Sequence, residues 1–194
     1  MGTVTAFRNL PYEGAIHPCV TYGTPSGEYC ISRPTGAALR VRRVNPPMTA
    51  PTLTNLGLVS VPSNTAPPNA PALSSSTLDT LDGRLMNAVY RNGSVWTTHC
   101  VGISSRAGVK WYEVNPGTMA TNQVGTISDA SFYYYMPSIS VNAAGGAVLG
   151  FTGSNSSTYA SCYLTGRMGT DPAGQTDAPI LLKAGEAGYS DGGN

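Results

Sequence analysis

The segment Leu39-Arg-Val-Arg-Arg-Val-Asn-Pro46 is echoed downstream by Val109-Lys-Trp-Tyr-Glu-Val-Asn-Pro116. Each reads as an alternating strand closed by Val-Asn-Pro, because proline has no N–H with which to continue a ladder. The stretch that follows is echoed too, Thr54-Asn-Leu-Gly-Leu-Val-Ser60 against Thr121-Asn-Gln-Val-Gly-Thr-Ile-Ser128. Strands repeated in the same order mark copies of one supersecondary unit that stack to bury a common core. Helical signals are almost absent. Nowhere do a dozen residues place apolar side chains at helical spacing without Gly or Pro intruding.

Short runs rich in Val, Ile, Tyr, Trp and Thr, bounded by turn residues, predict strands. The first unit runs over 16–22, 28–33, 38–44 and 54–61, and the second over 85–91, 94–101, 108–114 and 122–128. The third runs over 135–142, 147–152, 159–166 and 179–184. The clearest hairpin is Leu85–Arg91, Asn92-Gly93, Ser94–Cys100, since Asn-Gly supplies the positive-φ pair of a type I′ turn. A second joins 137–142 to 147–151 through 143–146. Four antiparallel strands with short turns, repeated in series, are the mark of a β-propeller. A two-sheet sandwich could also be built from short strands, but its strands need not echo one another in order. The expected fold is therefore all-β, a partial propeller of about three consecutive four-stranded antiparallel blades. The blades fall at 16–61, 85–128 and 135–184, with a long Pro-, Ser- and Asn-rich insertion at 62–83, in one incomplete domain over 1–194. Known propellers use about four blades or more, so the remaining blades of the same protein are expected partners. Ser190-Asp-Gly-Gly-Asn194 reads as a turn leading into another strand.

Charge narrows the function. Asp, Glu, Lys and Arg make up 11% of the chain and the net charge is +1, where an ordinary domain carries roughly a quarter charged residues. Nucleic acid is excluded as a partner, because phosphate affinity comes from clustered Lys and Arg. The one basic cluster, Arg40, Arg42 and Arg43, lies within a strand and reads as a solvated sheet face. No apolar run approaches the roughly 20 residues of a membrane span. Low charge and Ser/Thr/Asn/Tyr richness point to a secreted or cell-surface protein, although Met1 to Asn9 lacks the basic-then-apolar order of a signal peptide. Cys19 and Cys30 flank Gly23-Thr24-Pro25-Ser26, which sets them across a turn either as a cross-strand disulfide or as two small buried thiols. Cys100 and Cys162 lie in separate units and could pair only if those faces touch.

The stretches Thr80–His99, Val109–Pro116 and Lys183–Asn194 resemble a group of uncharacterised secreted bacterial proteins that look like sialidase-type β-propellers. The likeness runs through most of the chain and is strongest over 78–194; in that group the last stretch continues into an Arg-Trp-Gly-Asp-Tyr segment. The resemblance implies a propeller and export but no established activity, because propellers separate fold from function. Sialidase-type catalysis needs an arginine triad for bidentate carboxylate pairing and a tyrosine nucleophile beside an acid. The chain has no complete Ser-x-Asp-x-Gly-x-x-Trp box and no motif that identifies the triad, so no catalytic residue is carried over.

The candidate ligand residues are Asp82, Arg84, Asn87, His99, Tyr133 and Tyr134. The first four gather at the entry of one hairpin, where a propeller's inner strands line its axial channel; the competing reading is a turn and a packed strand histidine. Phe132-Tyr-Tyr-Tyr135 is either a stacking platform for sugars or packing between sheets. His17 has no partner at metal-ligand spacing. Asp82, Asp129 and Asp191 sit in turns where calcium could be held, or where the carboxylate bonds its own backbone; no cofactor or metal is expected. Asn92 and Asn155 fit the glycosylation triplet, and Asn92 is already accounted for by its turn. The expected function is non-catalytic binding or adhesion, with carbohydrate or a cell-surface polymer as partner. The alternatives are a sialidase-like glycoside hydrolase completed by other blades, and an extracellular assembly protein joined through open sheet edges.

Overall fold

Thirteen strands and no helix make up residues 4–11 and 13–189, which a computed structural model of the chain describes. In chain order they are β1 Ile16–Pro18, β2 Val20–Thr21, β3 Glu28–Thr35, β4 Ala38–Asn45, β5 Thr52–Ser60, β6 Leu85–Arg91 and β7 Ser94–Ile103. They continue with β8 Arg106–Asn115, β9 Ala120–Ile127, β10 Tyr133–Val141, β11 Ala147–Asn155, β12 Thr158–Arg167 and β13 Ile180–Lys183. Three sheets result: a first of order β1-β3-β4-β5, a middle one of β2-β6-β7-β8-β9 and a third of β10-β11-β12-β13. All neighbours are antiparallel except β2 and β6, which pair in parallel. The segment Ser190–Asn194, with Asp191, lies outside the described residues.

The strands fall where alternation placed them, with one exception. The run 16–22 is split, with β1 pairing to β3 and β2 crossing to β6 of the middle sheet. Pro18 supplies the physical reason. It offers no N–H beyond the pairing with Cys30, and after Cys19 N–H donates to Tyr29 O at 2.9 Å the chain is free to leave. The Asn92-Gly93 turn takes φ values of 51° and 82°, the left-handed pair of a type I′ hairpin. Asn115 ends β8 by accepting from Gly117 N at 2.8 Å and Thr118 N at 3.1 Å, a side-chain turn just past the ladder.

The echoed strands β4 and β8 lie in different sheets, each third in its four-strand meander. The second half of the echo is displaced. Thr54 faces Arg43 whereas Thr121 faces Val114, because the turns 46–51 and 116–119 differ in length. Register is regained at the glycines, Gly57 opposite Val41 and Gly125 opposite Trp111. Gly125 is required: a Cβ there would run into the Trp111 indole that lies across it.

The sheets stack as three layers, and the described residues close no ring or barrel. Ile31, Leu39, Val41 and Val59 of the first sheet meet Leu85, Val95, Tyr112 and Val114 of the middle one. On the opposite face, Val89, Trp96, Val109 and Trp111 meet Tyr134, Ile139, Leu149 and Phe151 of the third. The middle sheet is thus buried on both sides, and β7 is buried continuously from Ser94 to Val101. Trp96 and Trp111 stack at 5.8 Å within the second interface.

Arg40 and Arg42 do not form a solvated face. Glu13 folds over the outer side of the first sheet, its carboxylate pairing with Arg42 and Arg40 and accepting from Ser32 Oγ at 2.6 Å. Burial works to raise the Glu13 pKa, but hydrogen bonds from Arg42 and Ser32 outweigh it and the carboxyl titrates below its ordinary value. Arg42 and Glu13 are both almost fully buried. Arg43 turns to the other side and bonds Asn45 and Ser26.

The insertion 62–83 is an ordered strap. Asn64 N–H donates to Gly36 O in the β3–β4 turn, Gly102 of β7 pairs with Thr65, and Leu73 N–H donates to Thr158 O beside the β11–β12 turn. The strap therefore ties together the same end of all three sheets. Gly102 permits its close approach, since a Cβ would sit 2.6 Å from Thr65 Oγ1 and 2.7 Å from Ala66 O.

Candidate ligand-binding cleft

Of the residues singled out by type, Asp82 and Arg84 remain at the surface. Asp82 Oδ1 accepts from Arg84 N at 3.1 Å and Nε at 2.9 Å, and Oδ2 accepts from an Arg84 Nη at 2.8 Å. Hydrogen bonds from the Arg84 side chain hold the Asp82 carboxyl down to about 2. The pair borders a small cleft of about 140 Å³ shared with Glu13, Arg33 and Leu85.

His99 is directly opposite Leu85 in the hairpin but has no exposed surface. Nδ1 lies 2.7 Å from Gly83 O, so it carries the proton and donates. Nε2 then accepts from the Tyr112 hydroxyl at 3.0 Å. The Tyr112 oxygen in turn accepts from Asn64 Nδ2 at 2.8 Å, and Asn64 Oδ1 accepts from Lys110 Nζ at 2.6 Å. This relay runs from the strap into the middle sheet and consumes both ring nitrogens. Burial pushes the His99 pKa down to about 4, so the ring is neutral near pH 7.

Asn87, half-buried, is also committed to the fold. Its Nδ2 donates to Ile139 O at 2.9 Å and its Oδ1 accepts from Ile139 N at 3.0 Å, so one side chain pairs with β10 as a strand would. Tyr134 is buried among Phe132, Phe151 and Tyr163, and burial pushes its hydroxyl up to about 12. Tyr133 is half-buried, with the Arg106 guanidinium 5.8 Å from its ring centre. The aromatic run is therefore mainly inter-sheet packing. The structure brings Asp82 and Arg84 together, sends His99 and Tyr134 into the interior, and commits the half-buried Asn87 to β10.

All four cysteines carry free thiols. The Cys19–Cys30 disulfide is not formed: Cys30 faces Pro18, one residue away from the expected register, and Cys19 packs against the core between the first and middle sheets. Burial pushes the Cys19 thiol up to about 12. Asp129 bonds its own turn, accepting from Ser131 N at 2.6 Å and Phe132 N at 2.9 Å. Among the described residues no group of three or more His, Cys, Asp or Glu is placed to hold a metal.

A cleft that residue type alone did not mark opens where the strap returns along the third sheet. It has a volume of about 420 Å³ and is lined by Ser76, Thr77, Leu78 and Asp79 of the strap, Tyr135, Thr152 and Ala160 of the sheet, and Tyr189. Tyr189 N–H donates to Ser75 Oγ at 2.9 Å, and Gly188 packs so closely on Ser74 that a side chain would not fit. The ring of Tyr189 is well exposed. Tyr135 is nearly buried, its hydroxyl 3.0 Å from Ser154 Oγ, which donates to Pro71 O of the strap at 2.7 Å. Asp79 Oδ1 is engaged by Leu81 N at 2.8 Å, which fixes the carboxylate at the rim. Rings, a leucine and hydroxyls around one exposed carboxylate form an amphipathic pocket of ligand size. Tyr135 was within the aromatic run that sequence marked; the other lining residues carried no signal, because only the strap's path brings them together. Comparison of the chain with models of known protein families, with curated proteins and with solved structures gave no match.

Proposed function

We propose that the chain is a three-blade segment of an exported, sialidase-type β-propeller that binds carbohydrate without turning it over. The observation that carries the reading is the cleft between strap and third sheet, in which an exposed tyrosine ring lies beside hydroxyls and a carboxylate. A sugar presents C–H faces to rings and hydroxyls to polar side chains, and this lining matches both. The propeller arrangement is supported by the face-to-face stacking of successive antiparallel meanders. A glycosidase reading would require a carboxyl kept protonated near neutrality. Asp82 is held in the opposite sense, and His99 has both nitrogens committed.

A glycan array and a panel of glycosidase substrates, applied to the protein in its longest available form, test this reading. Expected are array binding that Tyr189→Ala and Asp79→Asn each weaken at least tenfold, and no turnover. Turnover abolished by changes at Asp82, Arg84 or His99 would overturn it.

A further inference from the structure

At the end of the sheets opposite the strap, a second cleft of about 470 Å³ is lined by Tyr22 and Arg91, by Ser140 and Asn142, and by Arg167 and Asp177. Arg91 ends β6. Its guanidinium stands 4.4 Å from the centre of the Tyr22 ring, and one Nη donates to Val141 O at 3.3 Å. Arg167 ends β12 and is 6% exposed. Its Nε donates to Gln175 O at 3.2 Å and one Nη to Asp171 O at 2.9 Å, with Trp111 5.7 Å away. Arginine does not lose its charge on burial. Yet neither arginine has a carboxylate partner among the described residues, whose ion pairs lie elsewhere. The other N–H groups of both guanidiniums have no protein acceptor there. The one carboxylate in the lining, Asp177, is exposed, and its backbone is tied to Gly166 and Thr165.

We infer that this cleft binds a tetrahedral oxyanion, a sulfate or phosphate ester, with Arg91 as the accessible donor and Arg167 as the fixed positive charge behind it. Carbonyl oxygens and a ring offset a cation only in part, so net positive charge remains at the cleft, where low-dielectric walls strengthen its effect. Arg91 offers the free N–H groups, and the Ser140 and Asn142 side chains in the same lining add donors from another direction, which suits a group whose oxygens point several ways better than a planar carboxylate with two coplanar oxygens. This site is independent of the carbohydrate cleft, which lies at the strap end.

The test follows arginine Nε–H resonances by NMR while sodium sulfate, sodium phosphate or sodium acetate is added at constant ionic strength. Expected are saturable shifts at Arg91 and Arg167 for sulfate and phosphate, at least tenfold weaker binding in Arg91→Gln, and severalfold tighter binding in Asp177→Asn. Tyr189→Ala should leave the affinity unchanged. A sulfated and a phosphorylated monosaccharide then separate the two sources: preference for the phosphate ester that grows as pH rises through about 6 assigns phosphate, and a pH-independent preference assigns sulfate. Shifts that grow without saturating, equal binding by Arg91→Gln, or acetate binding as tightly as sulfate would each overturn the assignment.

Discussion

Lowering the pH should loosen the strap through His99. The ring is neutral in the fold, with a pKa of about 4 against an ordinary 6.5, first because it is buried and further because the Arg33 and Lys110 charges disfavour a second proton. The Gly83 carbonyl works in the opposite sense but does not prevail. Between those two values the unfolded chain binds more protons than the folded one, so stability falls as pH falls. The His99 contribution is intact above about 6.5, declines through the window down to about 4, and is constant below it. A displacement of this size corresponds to about 3 kcal/mol at 1.36 kcal/mol per pH unit. Urea unfolding at pH 7.5, 6, 5 and 4, compared with His99→Gln, isolates the term, because Glu13 and Asp82 titrate in both proteins alike. The wild type should lose about 3 kcal/mol more than the variant across that range. An identical pH dependence in the two proteins would refute the neutral buried relay.

Other substitutions test the remaining contacts. Asn87→Ala leaves Ile139 N–H and C=O without their side-chain partner and should cost about 2–4 kcal/mol in urea unfolding, since two buried polar groups lose their bonds. Glu13→Gln removes the charge that compensates buried Arg42 and should cost about 3–5 kcal/mol, read from the same assay; Arg42→Met in the Glu13→Gln background should recover part of it. Gly125→Ala forces the Trp111 indole out of its place, so near-UV circular dichroism should lose the stacked-tryptophan signal and the melting temperature should fall by several degrees or more.

The strand layout was legible because two signals agree along most of the chain: alternation of apolar and polar residues, and turn residues whose chemistry fixes the reversal, as at Asn92-Gly93. Where only one signal is present, the local sequence does not determine the outcome. Ile16 to Tyr22 alternates well enough for one strand, but Pro18 divides it between two sheets. Arg40 and Arg42 look solvent-facing in a strand, and nothing local reveals that Glu13 will cover them. The strap was invisible for a similar reason: its Pro, Ser and Asn content reads as loop, and its order rests on isolated backbone bonds to three different sheets. The candidate site suffered most. Selecting His, Asp, Arg and Asn by chemical type found side chains whose polarity is consumed by the fold. The candidate cleft is lined in part by Leu78, Thr152 and Ala160, residues with no distinguishing chemistry, and only the return of the chain at Tyr189 completes it.

Backbone amide shifts recorded while an array-selected oligosaccharide is added would test binding at the strap most directly. Perturbations confined to Ser76–Asp79, Thr152, Ala160 and Tyr189 are the predicted result. Perturbations centred on Asp82, Tyr133 or the Arg91 end, with the strap residues unmoved, would contradict it.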